Sequence, residues 1–300
     1  MRIFQVDAFT QTRFAGNPAT VVLDADGLSV DTLEAIAREF AHAETAFVSA
    51  ASAPDHDVRL RFFNARKEAP FVGHATLAAH AVLLALGRRT FGVMRQHSGT
   101  GIIEVRAEER RGARGNEVLL EFRQSTPELA APLPLESTLR VAEALHLPAR
   151  ELHPNLPACI ARRGATRLLL PISAASALDG LEPNLDSLLS LGRELGADGF
   201  FVFAWTSADA QRSTSARMFC PALGIPEDPV SGNAHAMLAS YLFDRGELGA
   251  ERGLDFTGHQ GAQMRRPGLV SVRLELERER LAAVHIGGSA VIVSEGTLCP

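Results

Sequence analysis

The sequence predicts an α+β fold made of two homologous domains, each a sheet wrapped around a central buried helix. Three observations lead to this prediction. One long segment is repeated half a chain further on, predicted strands outnumber predicted helices, and each half contains one helix that is apolar on every side. Several strands that share one apolar helix can bury it only by curving around it.

The first buried helix follows Gly73 and runs from Ala75 to Leu86, with only Thr76 and His80 interrupting its apolar surface. A helix that is apolar all round is a buried helix, and this one is too short to span a bilayer. Its first backbone N–H groups lack intrahelical partners and lie at the positive end of the helix dipole, which favours an anion. The helix start is therefore either a carboxylate-binding site or an ordinary glycine turn before a core helix.

The repeat joins this segment to a second one. Glu68-x-Pro-x-x-Gly73-His-Ala matches Glu227-x-Pro-x-x-Gly232-Asn-Ala, and a helix of small apolar residues follows each. Upstream of them, 31–39 and 186–194 are both predicted to be amphipathic helices. A period this long is not that of a solenoid, so it indicates a duplicated domain.

The remaining elements follow from alternation and turn residues. Asn17-Pro18 predicts a turn, the proline-rich segment 127–134 has no periodicity and is the predicted linker, and a helix is expected over 136–146. The predicted strands of the first half are 2–9, 20–23, 44–49, 58–63, 101–107 and 118–122, and those near the end are 269–277 and 284–293.

The domain boundaries follow from the linker and from the last strand. We expect one domain over 1–125 and the other over 126–284, with 285–300 returning to the first domain because that segment is too apolar for a free tail.

Composition excludes several classes of function. The formal charge is −5, no Lys/Arg run occurs, and one Trp and one Tyr are too few for base stacking, so no nucleic-acid partner is expected. No apolar run reaches transmembrane length, and the N-terminus lacks the apolar core of a signal peptide, so no membrane partner is expected. Three cysteines at unrelated spacings suggest a reducing compartment, with the cytoplasm as the default.

The candidate chemistry lies in acids and a histidine beside the glycine turns. Metal-binding spacings, a phosphate loop and a nucleophile elbow are all missing from the sequence, so no metal is expected. Glu44, at the start of a strand, is either an exposed strand-end charge or a partly buried acid/base. Asp228 either accepts a hydrogen bond from a ligand or caps the next turn, and His74 is either a proton carrier or a polar cap. His80 and His235 are predicted to be core histidines.

Five motifs in order resemble the PhzF-like phenazine-biosynthesis isomerase family. They are Phe14-x-Gly-Asn-Pro-Ala19, Glu44-Thr-x-Phe47, Pro70-Phe-x-Gly-His-Ala-Thr-Leu-Ala-Ala79, Glu227-Asp-Pro-x-x-Gly232 and Ile286-Gly-Gly-x-Ala-Val291. The resemblance implies the diaminopimelate-epimerase-like fold, in which each domain is a β-barrel-like sheet around a central helix and the active site lies in the cleft between the two domains. It also implies cofactor-independent proton transfer by Glu44, with His74 and Asp228 lining the pocket. It further implies that Asn17, Gly73, Gly232 and Asn233 bind the substrate, and that the protein is a homodimer.

Two departures bear on the substrate and mechanism. The phenazine enzymes carry a serine where this chain has Asn233, and Phe-Thr-Pro where it has Phe63-Asn64-Ala65. Related epimerases place a cysteine in each of the two glycine turns, whereas no cysteine of this chain lies in either. The expected function is therefore a cofactor-free isomerase that acts on a small anionic metabolite. The alternatives are an amino-acid epimerase or racemase and a non-catalytic ligand- or partner-binding protein on the same fold.

Overall fold

The computed structural model describes residues 1–41, 44–112, 115–207 and 212–299. Its helices are α1 Val30–Phe40, α2 Gly73–Ala85, α3 Leu135–Ala144, α4 Leu185–Leu195 and α5 Gly232–Asp244. Its strands are β1 Arg2–Ala8, β2 Asn17–Leu23, β3 Thr45–Ala50, β4 Val58–Phe63, β5 Glu68–Ala69, β6 Gly92–Ser98, β7 Gly101–Gly112, β8 Gly115–Ser125, β9 Glu128–Pro132, β10 Cys159–Arg163, β11 Ala165–Ile172, β12 Gly199–Thr206, β13 Ser213–Cys220, β14 Ile225–Asp228, β15 Asp255–Gln260, β16 Gly268–Glu277, β17 Arg280–Gly288 and β18 Ala290–Thr297. None of the helices described is long and apolar enough to cross a membrane.

The chain divides into two compact units. One comprises Met1–Arg123 and the chain from Gly287 onward, and the other comprises Gln124–Ile286. Strand β18, from the C-terminal segment, pairs antiparallel with β1 in the first unit. Pro300, at the end of the predicted returning segment, lies outside the described residues, and the predicted cleft between the domains stays a prediction.

The first unit is a sheet that packs on α2. Its strands run in the order β18, β1, β2, β3, β4, β6, β7 and β8, with β5 also on β4. The β2–β3 and β4–β6 pairs are parallel and the others antiparallel. Helix α2 contacts β1, β2, β3 and β18, and its residues from Ala75 to Leu83 are almost all buried. Burial of this helix accounts for the main core of the unit.

The second unit repeats the same order. Its strands run β9, β10, β11, β12, β13, β15 and β16, and the parallel pairs are again the third and the fifth, β11–β12 and β13–β15. Helix α5 packs on β9, β10, β11 and β16. The two mixed sheets, each with a buried helix, confirm the predicted α+β class.

The amphipathic helices confirm the repeat at their ends. Ser29 and Asn184 each cap their helix by accepting a hydrogen bond from the backbone N–H three residues on, in α1 and α4 respectively. Each helix then ends on a left-handed residue, Ala41 at φ 49° and Gly196 at φ 69°. The apolar stripe predicted both helices to within one residue at either end.

The predicted linker is wrong in part. Strand β9 lies inside the segment 127–134 and pairs with β10, with Leu129 opposite Ala161 and Pro132 opposite Cys159. Pro132 is tolerated because it is the last residue of the strand, where its missing N–H removes no interior ladder bond. The strand is too short, and too closely bounded by prolines, to show an alternation in the sequence.

The repeated glutamates have structural partners. Arg61 binds Glu68 through two hydrogen bonds of 2.7 Å, and Arg217 binds Glu227 through two of 2.9 Å. Each arginine also lies over the phenylalanine two residues on, with 5.0 Å and 4.9 Å from the guanidinium carbon to the ring centroid. Bidentate pairs of this kind fix the strand that leads into each glycine turn, so Glu68 and Glu227 are not candidates for chemistry.

Glycines complete the same turns. A Cβ on Gly99 would lie 2.8 Å from the Cα of Pro70, and one on Gly261 would lie 2.7 Å from the carbonyl oxygen of Pro229. The two prolines occupy the same place in the repeated motif. Close backbone approach therefore requires glycine at both positions.

Two histidines lie in the cores, as predicted, one on each central helix. His80 in α2 contacts Gln96 through Nε2 at 3.0 Å and Arg89 through Nδ1. His235 in α5 donates from Nδ1 to the Ser231 carbonyl at 2.8 Å. Burial, reinforced by the charge of Arg89, lowers the pKa of His80 to about 3, and burial lowers that of His235 to about 4. Both rings are therefore neutral near pH 7.

The His235 ring lies against a strand position without a side chain. A Cβ on Gly258 would be 2.1 Å from Cδ2 of His235, which is fully buried. We expect Gly258→Ala to lower the free energy of unfolding by about 1–3 kcal/mol, because a well-packed ring must move. Gly296→Ala, in β18 with open space around the new methyl, is the matched control and should be close to neutral. Urea unfolding measures both, and equal stabilities of the two variants would contradict the packing argument.

The two buried histidines predict a loss of stability in mild acid. In the unfolded chain an imidazole binds a proton below a pKa of about 6.5, whereas the folded rings resist protonation until well below that value. The unfolded state therefore binds more protons as the pH falls, and each histidine should cost about 2 kcal/mol of unfolding free energy between pH 7 and pH 5. Urea titrations at pH 7, 6 and 5 measure this. His235→Phe should remove about 2 kcal/mol of the loss, whereas Gly296→Ala, the control for the packing experiment, should retain all of it. An unchanged stability from pH 7 to pH 5 would contradict the prediction.

Candidate functional site

Glu44 lies directly before β3, at the edge of the sheet where β2 and β3 run parallel. Its carbonyl oxygen accepts a hydrogen bond of 3.3 Å from the N–H of Thr20 on β2, so its backbone is held against the sheet. Only 18% of its side chain is exposed. The alternative of an exposed strand-end charge does not fit this burial, and Glu44 is a partly buried carboxyl group.

His74, in the first turn of α2, faces Glu44. Its Nε2 lies 3.3 Å from Oε2 of Glu44, and 11% of the histidine side chain is exposed. Two groups that can each carry a proton are thus within hydrogen-bonding reach and mostly shielded from solvent. This contact unites two of the three predicted catalytic residues, which are far apart in the sequence, and a carboxylate–imidazole pair of this kind is suited to general acid/base catalysis.

The start of α2 presents backbone N–H groups beside this pair. Val72, at the cap position, has no side chain that could cap the helix, and the first turn contains no acidic residue. Gly73 packs against Phe122, since a Cβ there would lie 3.0 Å from Cζ of the phenylalanine ring. The glycine therefore brings the helix start close to a buried aromatic ring, and an uncapped helix start attracts anionic groups.

Asn17 is buried at the first residue of β2, opposite Ala8 on β1. The predicted turn at Asn17-Pro18 is therefore wrong, because both residues belong to the strand. The chain turns earlier, at Gly16, which has φ 60° and approaches the carbonyl oxygen of Ala8 so closely that a Cβ would lie 2.1 Å from it. Asn17 lies at the edge of the parallel β2–β3 pair where Glu44 also lies.

In the second unit, Asp228 ends β14, opposite Met218. The side-chain amide of Gln260 bridges the turn that follows: its Oε1 accepts from the N–H of Ser231 at 3.0 Å, and its Nε2 donates to the carbonyl of Asp228 at 2.7 Å. Ser231 Oγ in turn accepts from the N–H of Ala234 at 3.3 Å and caps α5. The backbone between Asp228 and Gly232 is therefore fixed by hydrogen bonds at both ends.

Gly232 and Asn233 begin α5. Gly232 is buried, and Nδ2 of Asn233 donates to the carbonyl of Arg163 at 3.2 Å. That bond fixes which side of the amide faces outward, and the buried Oδ1 has no hydrogen-bond partner among the residues described. Asn233 thus offers an acceptor to any donor that reaches the start of α5.

Gln260 and Ser231 are positioning residues that the sequence analysis did not assign to the site. A serine directly before the glycine of a helix start is a typical N-cap, so Ser231 could have been recognised. Gln260 could not have been recognised, because the whole of α5 separates it in the sequence from Asp228 and Ser231, to which it bonds.

None of the three cysteines is part of either glycine turn in the sequence. Cys159 and Cys220 are buried, and Cys299 is exposed. Burial raises the pKa of the Cys159 thiol to about 12, which keeps it protonated and poorly nucleophilic. Across the described ranges, histidine, cysteine and carboxylate side chains do not gather in groups of three that could hold a metal ion.

Comparison with known proteins agrees with this architecture. A family model described as phenazine biosynthesis-like protein, PhzC-PhzF, matches residues 6–296. The uncharacterized isomerase YddE of Escherichia coli is 36% identical over 296 residues, covering 97% of this chain and 96% of the relative. The trans-2,3-dihydro-3-hydroxyanthranilate isomerase of Pseudomonas chlororaphis is 30% identical over 298 residues, covering 98% of this chain and 97% of the relative.

Two solved structures confirm the predicted epimerase-like fold. The PhzF-family phenazine biosynthesis protein of Bacillus anthracis has a TM-score of 0.86 at 25% identity and covers 100% of this chain and 99% of its own. A hydroxyproline epimerase from Agrobacterium vitis has a TM-score of 0.62 at 14% identity, with coverage of 99% and 90%, and shares the fold. Because the family model spans nearly the whole chain and full-length relatives are at least 30% identical to it, the protein belongs to the phenazine biosynthesis-like PhzC-PhzF family, whose curated members are named isomerases.

Proposed function

We propose that this protein is a cofactor-independent isomerase that moves a proton on a small carboxylate-bearing metabolite, with Glu44 as the proton carrier. The observation that carries the proposal is the contact between Glu44 and His74, 3.3 Å apart and mostly shielded from solvent, at the uncapped start of α2. A carboxylate held this close to an imidazole, beside backbone N–H groups that attract an anion, is suited to accept a proton from a bound substrate and to return it.

Each group has a distinct role in the proposed reaction. Glu44 removes a proton from a carbon atom beside an activating group and returns it at another carbon atom. His74 holds the carboxylate of Glu44 in position and can share its proton. The N–H groups of α2 bind the substrate carboxylate or the oxygen on which negative charge develops.

The proposed substrate-binding residues of the second unit are Asp228 at the end of β14 and Gly232 and Asn233 at the start of α5. Asn17 is the proposed binding residue beside β3. Asp228 and the Oδ1 of Asn233 can only accept hydrogen bonds at neutral pH, so they suit donor groups of the substrate. The fixed turn around Asp228 supports an orienting role, because orientation requires groups that do not move when the substrate binds.

The epimerase alternative needs a different acid/base pair. A two-thiol mechanism requires two cysteines at the glycine turns, and no cysteine of this chain lies in either turn. Burial raises the pKa of the Cys159 thiol, which keeps it protonated, and Cys159 is in neither glycine turn. These observations favour proton transfer by a carboxylate over transfer between two thiols.

Replacement of Glu44 by glutamine tests the proposal. Glu44→Gln keeps the shape of the side chain and removes the basic site, so turnover should fall by about 100-fold or more. Asp228→Asn should reduce turnover less, and His74→Asn should lie between the two. The probes are trans-2,3-dihydro-3-hydroxyanthranilate and 4-hydroxyproline in D2O, with deuterium uptake followed by mass spectrometry and double-bond movement by absorbance.

The control for this experiment is Glu34→Gln, at a surface position of α1 beside Arg38, which should retain wild-type turnover. Deuterium uptake with double-bond movement supports an isomerase, whereas uptake at the stereocentre of 4-hydroxyproline alone would establish the epimerase alternative. A Glu44→Gln variant with wild-type exchange would remove Glu44 from the chemistry. A wild type without exchange on either probe, while still binding both, would favour the binding-protein alternative.

The homodimer is a separate proposal that rests on family membership. Light scattering at working concentration should give twice the chain mass of 32.2 kDa. A single species at the chain mass over the whole concentration range would contradict it.

A further inference from the structure

Helix α2 has almost no amphipathic pattern that could set its rotation about its own axis. Its surface is made of alanine, leucine and valine on nearly every side, and its residues from Ala75 to Val82 are buried with the exception of Ala81. An ordinary surface helix is oriented because its polar face must meet water. Since α2 lacks such a face, apolar burial alone distinguishes weakly between neighbouring rotations.

Two polar residues break the apolar surface, and both are fully buried. Thr76 and His80 lie four residues apart, so they share one face of the helix. Gln96 of β6, also fully buried, contacts both: its Oε1 lies 3.0 Å from Nε2 of His80, and its Nε2 lies 3.4 Å from Oγ1 of Thr76. One strand side chain therefore meets both polar groups of the helix.

Arg89, His80, Gln96 and Thr76 form a series of hydrogen bonds, called the polar chain below. The donors and acceptors in the polar chain can be arranged in one way only. Arg89 has donors and no acceptor, so Nδ1 of His80 must accept from it. Nε2 of His80 then carries the hydrogen and donates to Oε1 of Gln96, which leaves Nε2 of Gln96 to donate to Thr76. The low pKa of His80 keeps the ring in this neutral form at neutral pH.

Arg89 connects the polar chain to the backbone of two strands. Its guanidinium is nearly buried and also donates to the carbonyls of Gly92 at 3.0 Å and Val105 at 3.2 Å, on β6 and β7. An unpaired buried polar group costs more free energy than one hydrogen bond contributes. Any rotation of α2 that breaks these hydrogen bonds is therefore unfavourable.

The rotation of α2 controls where His74 points. At 3.6 residues per turn, His74 lies about 160° around the helix from Thr76, on the side away from Gln96. Side-chain tips lie roughly 5–6 Å from a helix axis, so a rotation of about 10° moves the His74 ring by about 1 Å. The contact of 3.3 Å with Glu44 is sensitive to a shift of that size.

The second unit has an equivalent contact between its central helix and a strand, but with different residues. His235 occupies in α5 the place that Thr76 occupies in α2, three residues after the first glycine of the helix. In the parallel strand pairs, Gln96 lies opposite Val58 and Gly258 lies opposite Thr214, the equivalent register positions. One unit combines a small helix residue with a long strand side chain, and the other a large helix residue with glycine. Among the residues that the structure describes, Gln96 donates and accepts hydrogen bonds across this contact, whereas Nε2 of His235 has no hydrogen-bond partner.

We propose that Gln96, together with His80, is a positioning residue that sets the rotation of α2 and thereby directs His74 at Glu44. This inference rests on the proposed function, because the value of the alignment depends on the Glu44–His74 pair being the catalytic one. The geometry of the pair can nevertheless be measured without turnover, so the two proposals can fail separately.

The experiment removes the polar contact while retaining the volume. Gln96→Met keeps a side chain of similar length but cannot bond to His80 or Thr76. The readout is the 15N chemical shift of the His74 ring, measured with and without Glu44→Gln in each background. In the wild-type background, Glu44→Gln should change the 15N chemical shift of the His74 ring, and we call this difference the shift change. In the Gln96→Met background, we expect the shift change to be smaller by half or more. Val82→Ala, which removes buried apolar packing from the same helix and none of the polar chain, is the matched control and should retain the full change.

Turnover on the probe that the wild type accepts gives a second readout. At a temperature where the variants are fully folded, kcat of Gln96→Met should fall about 10- to 100-fold with KM little changed, since misalignment of about 1 Å affects the reaction more than binding. A destabilised Gln96→Met with the full shift change and wild-type kcat would overturn the proposal and leave Gln96 a core residue only.

Thr76→Val extends the test to a variant that should fold in any case. It is nearly isosteric and removes only the weakest bond of the chain, so a smaller loss of the shift change is expected. If Gln96→Met does not fold, unchanged His74 shifts and unchanged kcat in Thr76→Val would overturn the proposal. If Glu44→Gln turns over like the wild type, the proposed function fails, while the ring shifts still report whether Gln96 aligns His74.

Discussion

The architecture of each unit depends on the burial of one helix that is apolar on nearly all sides. Such a helix must be covered by strands around most of its circumference, and α2 accordingly contacts strands from both the beginning and the end of the chain. Its length leaves only its ends near solvent. The backbone N–H groups that no carbonyl within the helix can satisfy are therefore presented at the edge of the sheet, beside Glu44 and His74. Burial of the helix therefore also determines where the candidate site lies.

The two units have retained the framework and changed the chemistry. In both, an arginine on the strand before the turn binds the glutamate of the turn and covers a phenylalanine, and a glycine that follows a later strand lies against the proline. Each of these glycines, Gly99 and Gly261, lies directly after the strand that precedes it, β6 or β15. The contacts fix the path of the backbone into the helix start. The residues beside the first glycine differ, His74 in one unit and Asn233 in the other, so the duplicated turn can carry a proton donor or acceptor in one place and a hydrogen-bonding amide in the other.

The sequence predicted most of the fold because its signals are local. The stripes of α1 and α4, the repeated turn and the apolar central helices each lie within one short segment. The approach of His74 to Glu44 and the position of Asn17 in β2 depend instead on the pairing of β2 with β3 and on the path of α2, which no single segment encodes. Gln96 and Gln260 were equally out of reach, because a buried glutamine makes no periodic pattern. Strand β9 was missed since four residues between prolines are too few to alternate visibly.

The pairing of β1 with β18 has a consequence for how the chain is made. The ribosome synthesises residues 2–8 before the other strands of this unit, but their antiparallel partner is complete only when residue 297 has been added. At a translation rate of roughly 5–20 residues per second, one edge of β1 stays without its partner strand for about 15–60 s. The other unit, whose paired strands from β9 to β16 are contiguous in sequence, can be completed first even though it is translated second. During that interval an unpaired strand edge is exposed on the nascent protein, and such an edge invites pairing with another chain, so the early-made half is the one that depends most on the cell's chaperones.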